Sequence, residues 1–201
     1  GISQTSGEFI LMLNNDIELT EGSIGLIESM YKKASKKEVG IVGCTLLYGN
    51  ERDIQHAGIF LMPEGMADHM YVRERYQTAL KQVGSEKFPY DITKDMPMTA
   101  VTGAAQLVRK SSFEKIGGFD EKFIICGGDV DLCIRMNESG LQTWFVGGGY
   151  MLHKESISRK FIPIPAEDFY NSYISYIKGY DPELGDPFLP EITKKIKIHG
   201  V

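Results

Sequence analysis

Three polar residues, Asn14, Asn15 and Asp16, directly follow an apolar run at residues 9–13. Such a run is typical of a strand buried on both faces, and ligands of open α/β sheets sit at the carboxyl ends of their strands. A carboxylate there can bind a divalent cation, which can in turn bind a diphosphate. The same residues are also typical of a turn that leads into a helix. Taken alone, the segment leaves both interpretations open.

A histidine, His153, follows a second apolar run at residues 150–152. By itself it is an ordinary histidine at the end of a strand. If its strand and the strand before Asp16 run parallel in one sheet, however, the two side chains lie at the same edge. One imidazole and one carboxylate suit manganese somewhat better than magnesium, because nitrogen ligands favour the transition metal.

Two aspartates lie near the start of the segment GGDVDLCIRMNESG at residues 127–140. Asp131 stands four residues before Arg135, the favourable order for an ion pair on a helix, so we interpret it as structural. Asp129 has Cys133 at that spacing and therefore no charged partner on the helix. A carboxylate at a helix start is favoured in its ionised form and can accept a proton as a general base. A carboxylate that only caps the helix is the alternative, and these residues do not decide between the two.

The elements that must position these residues alternate along the chain. Apolar runs predict strands at residues 9–13, 39–47, 54–61, 100–109, 141–146 and 150–153. Helical spacing and helix-end signals predict helices at residues 24–31, 112–116, 129–139 and 167–178. Residues 63–98 show no clear period and are interpreted as a long excursion with one helix near residues 74–82. The alternation predicts an α/β fold with three layers and a mainly parallel, mixed sheet.

The composition fits one globular domain and excludes several classes of partner. The chain has 201 residues, 42% of them hydrophobic, which is enough for a core of its own. Its formal net charge of -5 gives no general attraction to nucleic acid or to an anionic membrane. The three cysteines include no CxxC pair, which disfavours structural disulfides and a thiolate zinc site and fits a reducing compartment. No apolar run approaches the roughly 20 residues of a membrane span.

Four stretches in this order resemble family 2 inverting glycosyltransferases of the GT-A fold, and most of all their rhamnosyltransferase-like branch. They are LMLNND at 11–16, AVTGAAQLVRKSSFEKIGGFDEKF at 100–123, GDVDLCIRM at 128–136 and HKESISR at 153–159. RDIQHAGIFL at 52–61 is also similar, and GMADHMY at 65–71 more loosely. The resemblance covers about residues 5–160. It implies a partial GT-A, Rossmann-like three-layer sandwich, with residues 1–160 as the carboxy-terminal part of that domain and 161–201 as a helical, Pro-rich tail packed on it or extending from it.

The resemblance assigns a donor and metal site. Asn14, Asn15 and Asp16 occupy the place of the family's Asp-x-Asp motif, with Asp16 as a ligand of Mn²⁺ or Mg²⁺. His153 matches the second protein ligand of that cation, and Arg159 matches a basic position near the diphosphate. The implied donor is a UDP-, GDP- or dTDP-linked sugar.

The resemblance also assigns a catalytic base. Asp129 matches the second member of the family's acidic pair, which supplies that base, whereas Gly128 stands where the first member, normally glutamate, is expected. The implied reaction is a metal-dependent inverting transfer of a sugar to a hydroxyl of a glycan, lipid-linked or protein acceptor. No nucleic acid takes part in it.

The chain opens on a buried strand without an initiator methionine, so we expect it to begin inside a domain. In the family, the preceding strands hold the nucleotide. We therefore expect the 201 residues alone to bind nucleotide-sugars weakly and to be inactive. The expected location is the cytoplasm, including the inner face of the cell membrane, with any membrane association made through regions outside this chain.

Two other functions fit parts of the sequence. A sugar nucleotidyltransferase uses a related sheet and a metal-bound carboxylate, but also a glycine-rich basic loop near its amino terminus and no base helix. A non-catalytic carbohydrate-binding domain derived from a transferase is favoured only by Gly128, where an acid is expected.

Overall fold

A computed structural model describes residues 2–62, 65–154, 163–181 and 183–189. Within these ranges the strands are β1 Phe9–Leu13, β2 Ile17–Glu18, β3 Val39–Tyr48, β4 Ile54–His56, β5 Ile59–Met62, β6 Met66–His69, β7 Met96–Pro97, β8 Ala105–Arg109 and β9 Gln142–His153. The α-helices are α1 Ser23–Ala34, α2 Tyr76–Lys81, α3 Lys110–Lys115, α4 Gly128–Glu138 and α5 Ala166–Gly179. Most predicted elements are present with small shifts at their boundaries. The single strand predicted at residues 54–61 is wrong, because these residues form two strands, β4 and β5, that lie in different sheets.

The main sheet has the order β1-β8-β3-β9-β2, with β4 added to β3 and β7 added to β9. Strands β1 and β3 are both antiparallel to β8, and β9 is parallel to β3. It follows that β1, β3 and β9 run in the same direction and end at the same edge. The mixed sheet and this common direction agree with the prediction. Among the described strands, however, only β3 and β9 pair in parallel, because β8 separates β1 from β3.

Helices cover both faces of this sheet and complete three layers. Helix α1 packs on β3 and β9 from one side, α4 packs on them from the other, and α5 packs on α4. Neighbouring residues of β3 enter different cores: Ile41 belongs to the core shared with α4, and Val42 to the core shared with α1. A strand buried on both faces is apolar at every position rather than at every second one.

The segment predicted as a loop excursion is partly ordered into regular elements. A hairpin of β5 and β6 pairs Ile59 with His69 and Met62 with Met66. Helix α2 lies within the predicted range 74–82, and β7 returns the chain to the main sheet. The excursion therefore brings His69 back beside the sheet edge.

The strands predicted at residues 141–146 and 150–153 are one strand, β9, which also contains Gly147, Gly148 and Gly149. The pairing with β3 is irregular at this point, between Cys44 and Thr45. The backbone of residues 93–94 crosses directly over Gly147, where a Cβ atom would overlap it. Gly147 thus permits close backbone approach, which is a common reason for glycine in a strand.

We expect Gly147→Ala to lower the free energy of unfolding by about 1–3 kcal/mol, because the added methyl group must displace backbone atoms. Gly25→Ala is the matched control, since no atom lies within 4 Å of the added methyl group in α1. Alanine there should be neutral or stabilise by about 0.5–1 kcal/mol. Urea unfolding followed by the fluorescence of the single tryptophan, Trp144, measures both. Equal stability of the two variants would contradict this account.

Candidate active site

The turn after β1 brings Asp16 to His153. Strand β2 begins one residue after Asp16 and pairs Ile17 with His153. Asp16 Oδ1 consequently lies 3.0 Å from His153 Nε2, and Asn14 Nδ2 lies 3.4 Å from the same nitrogen. Asn15 lies exposed in the same turn. The structure thus brings together the residues predicted for the donor and metal site, except Arg159, the predicted contact to the diphosphate, which lies outside the described residues.

The donor atoms of the Asp16–His153 pair fit a divalent cation. A carboxylate oxygen and an imidazole nitrogen face each other at 3.0 Å, close to the roughly 3 Å between adjacent ligands of one octahedral ion. Their side chains are 23% and 12% exposed, so a ligand can reach both. Among the described residues, no group of three or more His, Cys, Asp and Glu side chains is placed to hold a metal. A cation held by this pair would need water or substrate oxygens as its other ligands.

The second predicted site lies at the start of α4. Gly127, with φ 91°, precedes the helix, and Asp129 lies in its first turn. The Asp129 carboxylate accepts the backbone N–H of Gly103 at 2.7 Å through Oδ2 and that of Val130 at 3.0 Å through Oδ1. A side chain at position 103 would crowd Asp129, because its Cβ would lie 3.1 Å from the Asp129 Cβ. The glycine therefore lets the carboxylate approach the end of the sheet.

The turn before β8 connects the two sites. The strand predicted at 100–109 is shorter, because residues 102–104 leave the sheet before β8 begins at Ala105. Ala104 accepts the N–H of Asn14 at 2.9 Å, while Gly103 donates to Asp129. Asn14, beside the metal pair, is thus hydrogen-bonded to Ala104. The predicted base Asp129 is hydrogen-bonded to Gly103, the preceding residue of the same turn.

Asp131 has the structural role predicted for it. Its side chain is 4% exposed, and Oδ2 accepts Arg135 Nε–H at 2.7 Å. Oδ1 accepts the hydroxyl of Ser175 at 2.6 Å, which ties α4 to α5. The ion pair with Arg135 therefore distinguishes the structural Asp131 from Asp129, as the spacing of these residues indicated.

One cavity of about 810 Å³ is lined by Asn14, His153 and Asp129. Much of the rest of its wall is apolar and comes from the segment before α4, from α5 and from the β5–β6 hairpin. These apolar residues include Met66, Phe119, Phe123, Ile124, Ile164 and Phe169. The cavity is large enough for a small ligand of several ring systems.

Helix α5 holds the segment that leads into Asp129, which the sequence did not indicate. The fully buried Asp168 accepts three consecutive backbone N–H groups, those of residues 124–126, at 2.7–2.9 Å. Tyr176 donates its hydroxyl to the Gly127 carbonyl at 3.1 Å. Part of the region interpreted as a tail is therefore a wall of the cavity, whereas the predicted division at residue 160 stays a prediction.

A pair of histidines also escaped the sequence interpretation. His69 lines the cavity, and its Nδ1 lies 3.1 Å from Nδ1 of the buried His56. His56 Nε2 accepts backbone N–H groups of Gly58 and Thr102 at 3.3 and 3.4 Å, so the His56 proton lies on Nδ1 and is donated to His69. Burial, followed by the charge of His69, holds the pKa of His56 well below its usual range. Burial also lowers the pKa of His69, although Asp129 opposes this.

These lowered pKa values predict a loss of stability in mild acid. Because the folded state favours neutral His56, the stabilisation is present above the unfolded pKa of about 6.5 and is lost as the pH falls below it. We expect a loss on the order of 1 kcal/mol for this residue over the first pH unit below that value. Urea unfolding at pH 7.5 and 5.5 measures the loss. His56→Gln should reduce it, and an unchanged loss in that variant would contradict the assignment.

Known proteins resemble this chain in both sequence and fold. A family model described as "N-terminal domain of galactosyltransferase" matches residues 86–157, which include Asp129 and His153. The O-antigen biosynthesis protein RfbC of Myxococcus xanthus is 36% identical over 192 residues, or 94% of this chain and 14% of that protein. The N-acetylglucosaminyl-diphospho-decaprenol L-rhamnosyltransferase of Mycobacterium tuberculosis is 34% identical over 64 residues, which are 32% of this chain and 21% of that protein.

The chain resembles glycosyltransferases in both its sequence and its GT-A fold. The chain spans only a small part of the length of both of these relatives, one of which is named a rhamnosyltransferase. A crystal structure of GalNAc-T7 with UDP, GalNAc and Mn²⁺ has the same fold, with a TM-score of 0.54, 11% identity, and coverage of 90% of this chain and 34% of that one. Among the described residues of the domain, no helix is both long and apolar enough to cross a membrane.

Proposed function

We propose that this domain carries out the metal-dependent, inverting transfer of a sugar from a nucleotide-sugar to an acceptor hydroxyl. The observation that supports this most is that His153 of the Asp16–His153 pair and Asp129 both line one cavity. Such a transfer needs a base at the acceptor and positive charge at the leaving group. The cavity offers residues for both.

Asp16 and His153 are the residues that would hold the divalent cation, Mn²⁺ or Mg²⁺. When bound there, the cation would act as a Lewis acid that stabilises the negative charge developing on the leaving nucleoside diphosphate. Asn14 lies beside the pair and offers an amide for contact with the donor. We propose a UDP-, GDP- or dTDP-linked sugar as the donor, and Arg159 as a further contact to the diphosphate.

Asp129 is the proposed base. Its carboxylate takes the proton of the acceptor hydroxyl while the oxygen of that hydroxyl forms the new bond to the anomeric carbon and the bond to the diphosphate breaks. Both Asp129 oxygens already accept backbone N–H groups, which fixes the orientation of the carboxylate. Gly128 contributes no second carboxylate, so Asp129 acts alone in this turn. A single displacement without a carboxylate nucleophile inverts the configuration.

The acceptor that we propose is a hydroxyl of a glycan or of a lipid-linked glycan. A relative named for a diphospho-decaprenol substrate supports the lipid-linked form, as does the apolar wall of the cavity. A cytoplasmic location fits these substrates and stays a prediction.

The reaction products of the full-length protein test this proposal. Incubation with nucleotide-sugars, Mn²⁺ and glycan acceptors should release a nucleoside diphosphate and give a glycoside of opposite anomeric configuration, which NMR identifies. Release of pyrophosphate from a nucleoside triphosphate and a sugar phosphate would instead indicate a nucleotidyltransferase. Acceptor binding without release of any nucleotide would indicate the carbohydrate-binding alternative.

The weak donor binding and inactivity expected of the 201 residues alone also stay predictions. Isothermal titration of this chain with UDP- and dTDP-sugars in the presence of Mn²⁺ tests them. Sub-micromolar binding would contradict the expectation.

A further inference from the structure

The side chain of Gln55 contacts the ring of His153 on the side away from Asp16. Gln55 Oε1 lies 2.6 Å from His153 Nδ1, while Nε2 of the same ring faces Asp16 Oδ1. An amide oxygen can only accept a hydrogen bond, so the contact places the ring proton on Nδ1. In the neutral imidazole, the lone pair of Nε2 is then directed toward the Asp16 carboxylate.

A second contact agrees with this tautomer. Asn14 Nδ2 is a donor, and it lies 3.4 Å from the same Nε2 of His153. Both the donor of Asn14 and the acceptor of Gln55 therefore suit a ring with its proton on Nδ1. In this state Nε2 and the Asp16 oxygen are two electron-pair donors facing each other, which is an arrangement that a cation stabilises.

The backbone directs Gln55 to this position through a β-bulge. In the pairing of β4 with β3, Ile54 faces Leu47 and His56 faces Leu46, so Gln55 is an extra residue between two neighbouring partners. Ile54 and His56 are both fully buried, whereas the Gln55 side chain lines the cavity. Bulges beside active sites commonly redirect one side chain in this way.

We propose that Gln55 is a positioning residue, which fixes the tautomer and orientation of His153 so that Nε2 is presented to the cation. The inference rests on the metal site of the proposed function and adds a residue to it. A hydrogen bond to the outer nitrogen of a metal-bound histidine typically contributes 10- to 100-fold to metal affinity. The bulge then has a function, since a regular strand would not place residue 55 opposite His153.

Mn²⁺ binding by the full-length protein tests this role without any sugar substrate. The electron paramagnetic resonance signal of free Mn²⁺ gives the dissociation constant for each variant. We expect Gln55→Leu to weaken binding about 10- to 100-fold, and Gln55→Glu, which keeps an acceptor at the same distance, to restore it to within a few-fold of the original. Gln77→Leu is the matched control, because Gln77 is exposed on α2, and it should leave the affinity unchanged.

Nitrogen NMR of the metal-free protein gives a second readout that a purely structural role would not change. His153 should carry its proton on Nδ1 in the original protein and in Gln55→Glu, and should become a mixture of tautomers in Gln55→Leu. If Gln55→Leu fails to fold, Gln55→Asn replaces it, because its shorter side chain cannot reach the ring. We expect Gln55→Asn to show the same weaker Mn²⁺ binding and the same mixture of tautomers.

The outcomes separate this inference from the proposed function. If the original protein binds Mn²⁺ and His153→Leu abolishes binding, but Gln55→Leu and Gln55→Asn bind as tightly as the original, Gln55 has no positioning role and the metal site stands. If the original protein does not bind Mn²⁺ at all, the metal site of the proposed function is wrong, and the role of Gln55 is wrong with it.

Discussion

Asp129→Asn is expected to slow sugar transfer by the full-length protein about 10³-fold, within the range that a general base contributes. The amide can still accept one of the two backbone N–H groups that the carboxylate accepts, so the cavity should keep its shape. It cannot take the proton of the acceptor hydroxyl. The rate of nucleoside diphosphate release at saturating donor and acceptor measures the effect, and the KM for the donor should change little.

Glu121→Gln is the control for this substitution, because it removes one negative charge from an exposed side chain in the segment before α4. It should leave the rate within about twofold of the original, since exposed charges contribute little. Urea unfolding of both variants shows whether the fold is intact. A folded Asp129→Asn protein with more than a tenth of the original rate would exclude Asp129 as the base.

The second large effect is expected at the metal pair. Asp16→Asn and His153→Leu should each weaken Mn²⁺ binding at least about 100-fold, because each removes a direct ligand, and substitution of an outer residue alone costs 10- to 100-fold. Transfer should fall in parallel at fixed Mn²⁺, since the charge that stabilises the leaving diphosphate is lost. Titration with Mn²⁺, followed by electron paramagnetic resonance and by rate, measures both quantities.

Glu18→Gln is the control for the metal pair. Glu18 lies two residues after Asp16, is exposed, and pairs with Lys154 rather than with His153. Its substitution should leave Mn²⁺ affinity and rate nearly unchanged. If Glu18→Gln weakens binding as much as Asp16→Asn does, the loss reflects net charge near the site, and Asp16 is not a specific ligand.

The positions of Asp16, His153 and Asp129 could be predicted because each depends on local patterns. Two apolar runs located strand ends, and the common direction of β1 and β9 brought those ends to one edge. The spacing of Asp131 and Arg135 separated a structural aspartate from Asp129, and the ion pair has formed as expected. The strand ends and the spacing on the helix follow from periodicity within one element, which a sequence displays directly.

The supporting residues could not be predicted, because their partners are distant in sequence. Gln55 contacts His153 from 98 residues away, and Asp168 binds backbone groups 42–44 residues before it. Strand β2 has only two residues, too few to show a period, yet it places Asp16 beside His153. The sequence also does not show whether Gly147 forms a turn or makes room for the backbone of residues 93–94, which crosses over it.

The position of bound manganese tests the central claim most directly. Crystals of the full-length protein grown with Mn²⁺ and a nucleoside diphosphate, measured at a wavelength where manganese scatters anomalously, would locate the ion. The account predicts one manganese peak within about 2.5 Å of both an Asp16 carboxylate oxygen and His153 Nε2, with diphosphate oxygens as further ligands and Asp129 uncoordinated in the same cavity. A manganese ion bound to Asp129, or a diphosphate bound away from Asp16 and His153, would contradict it.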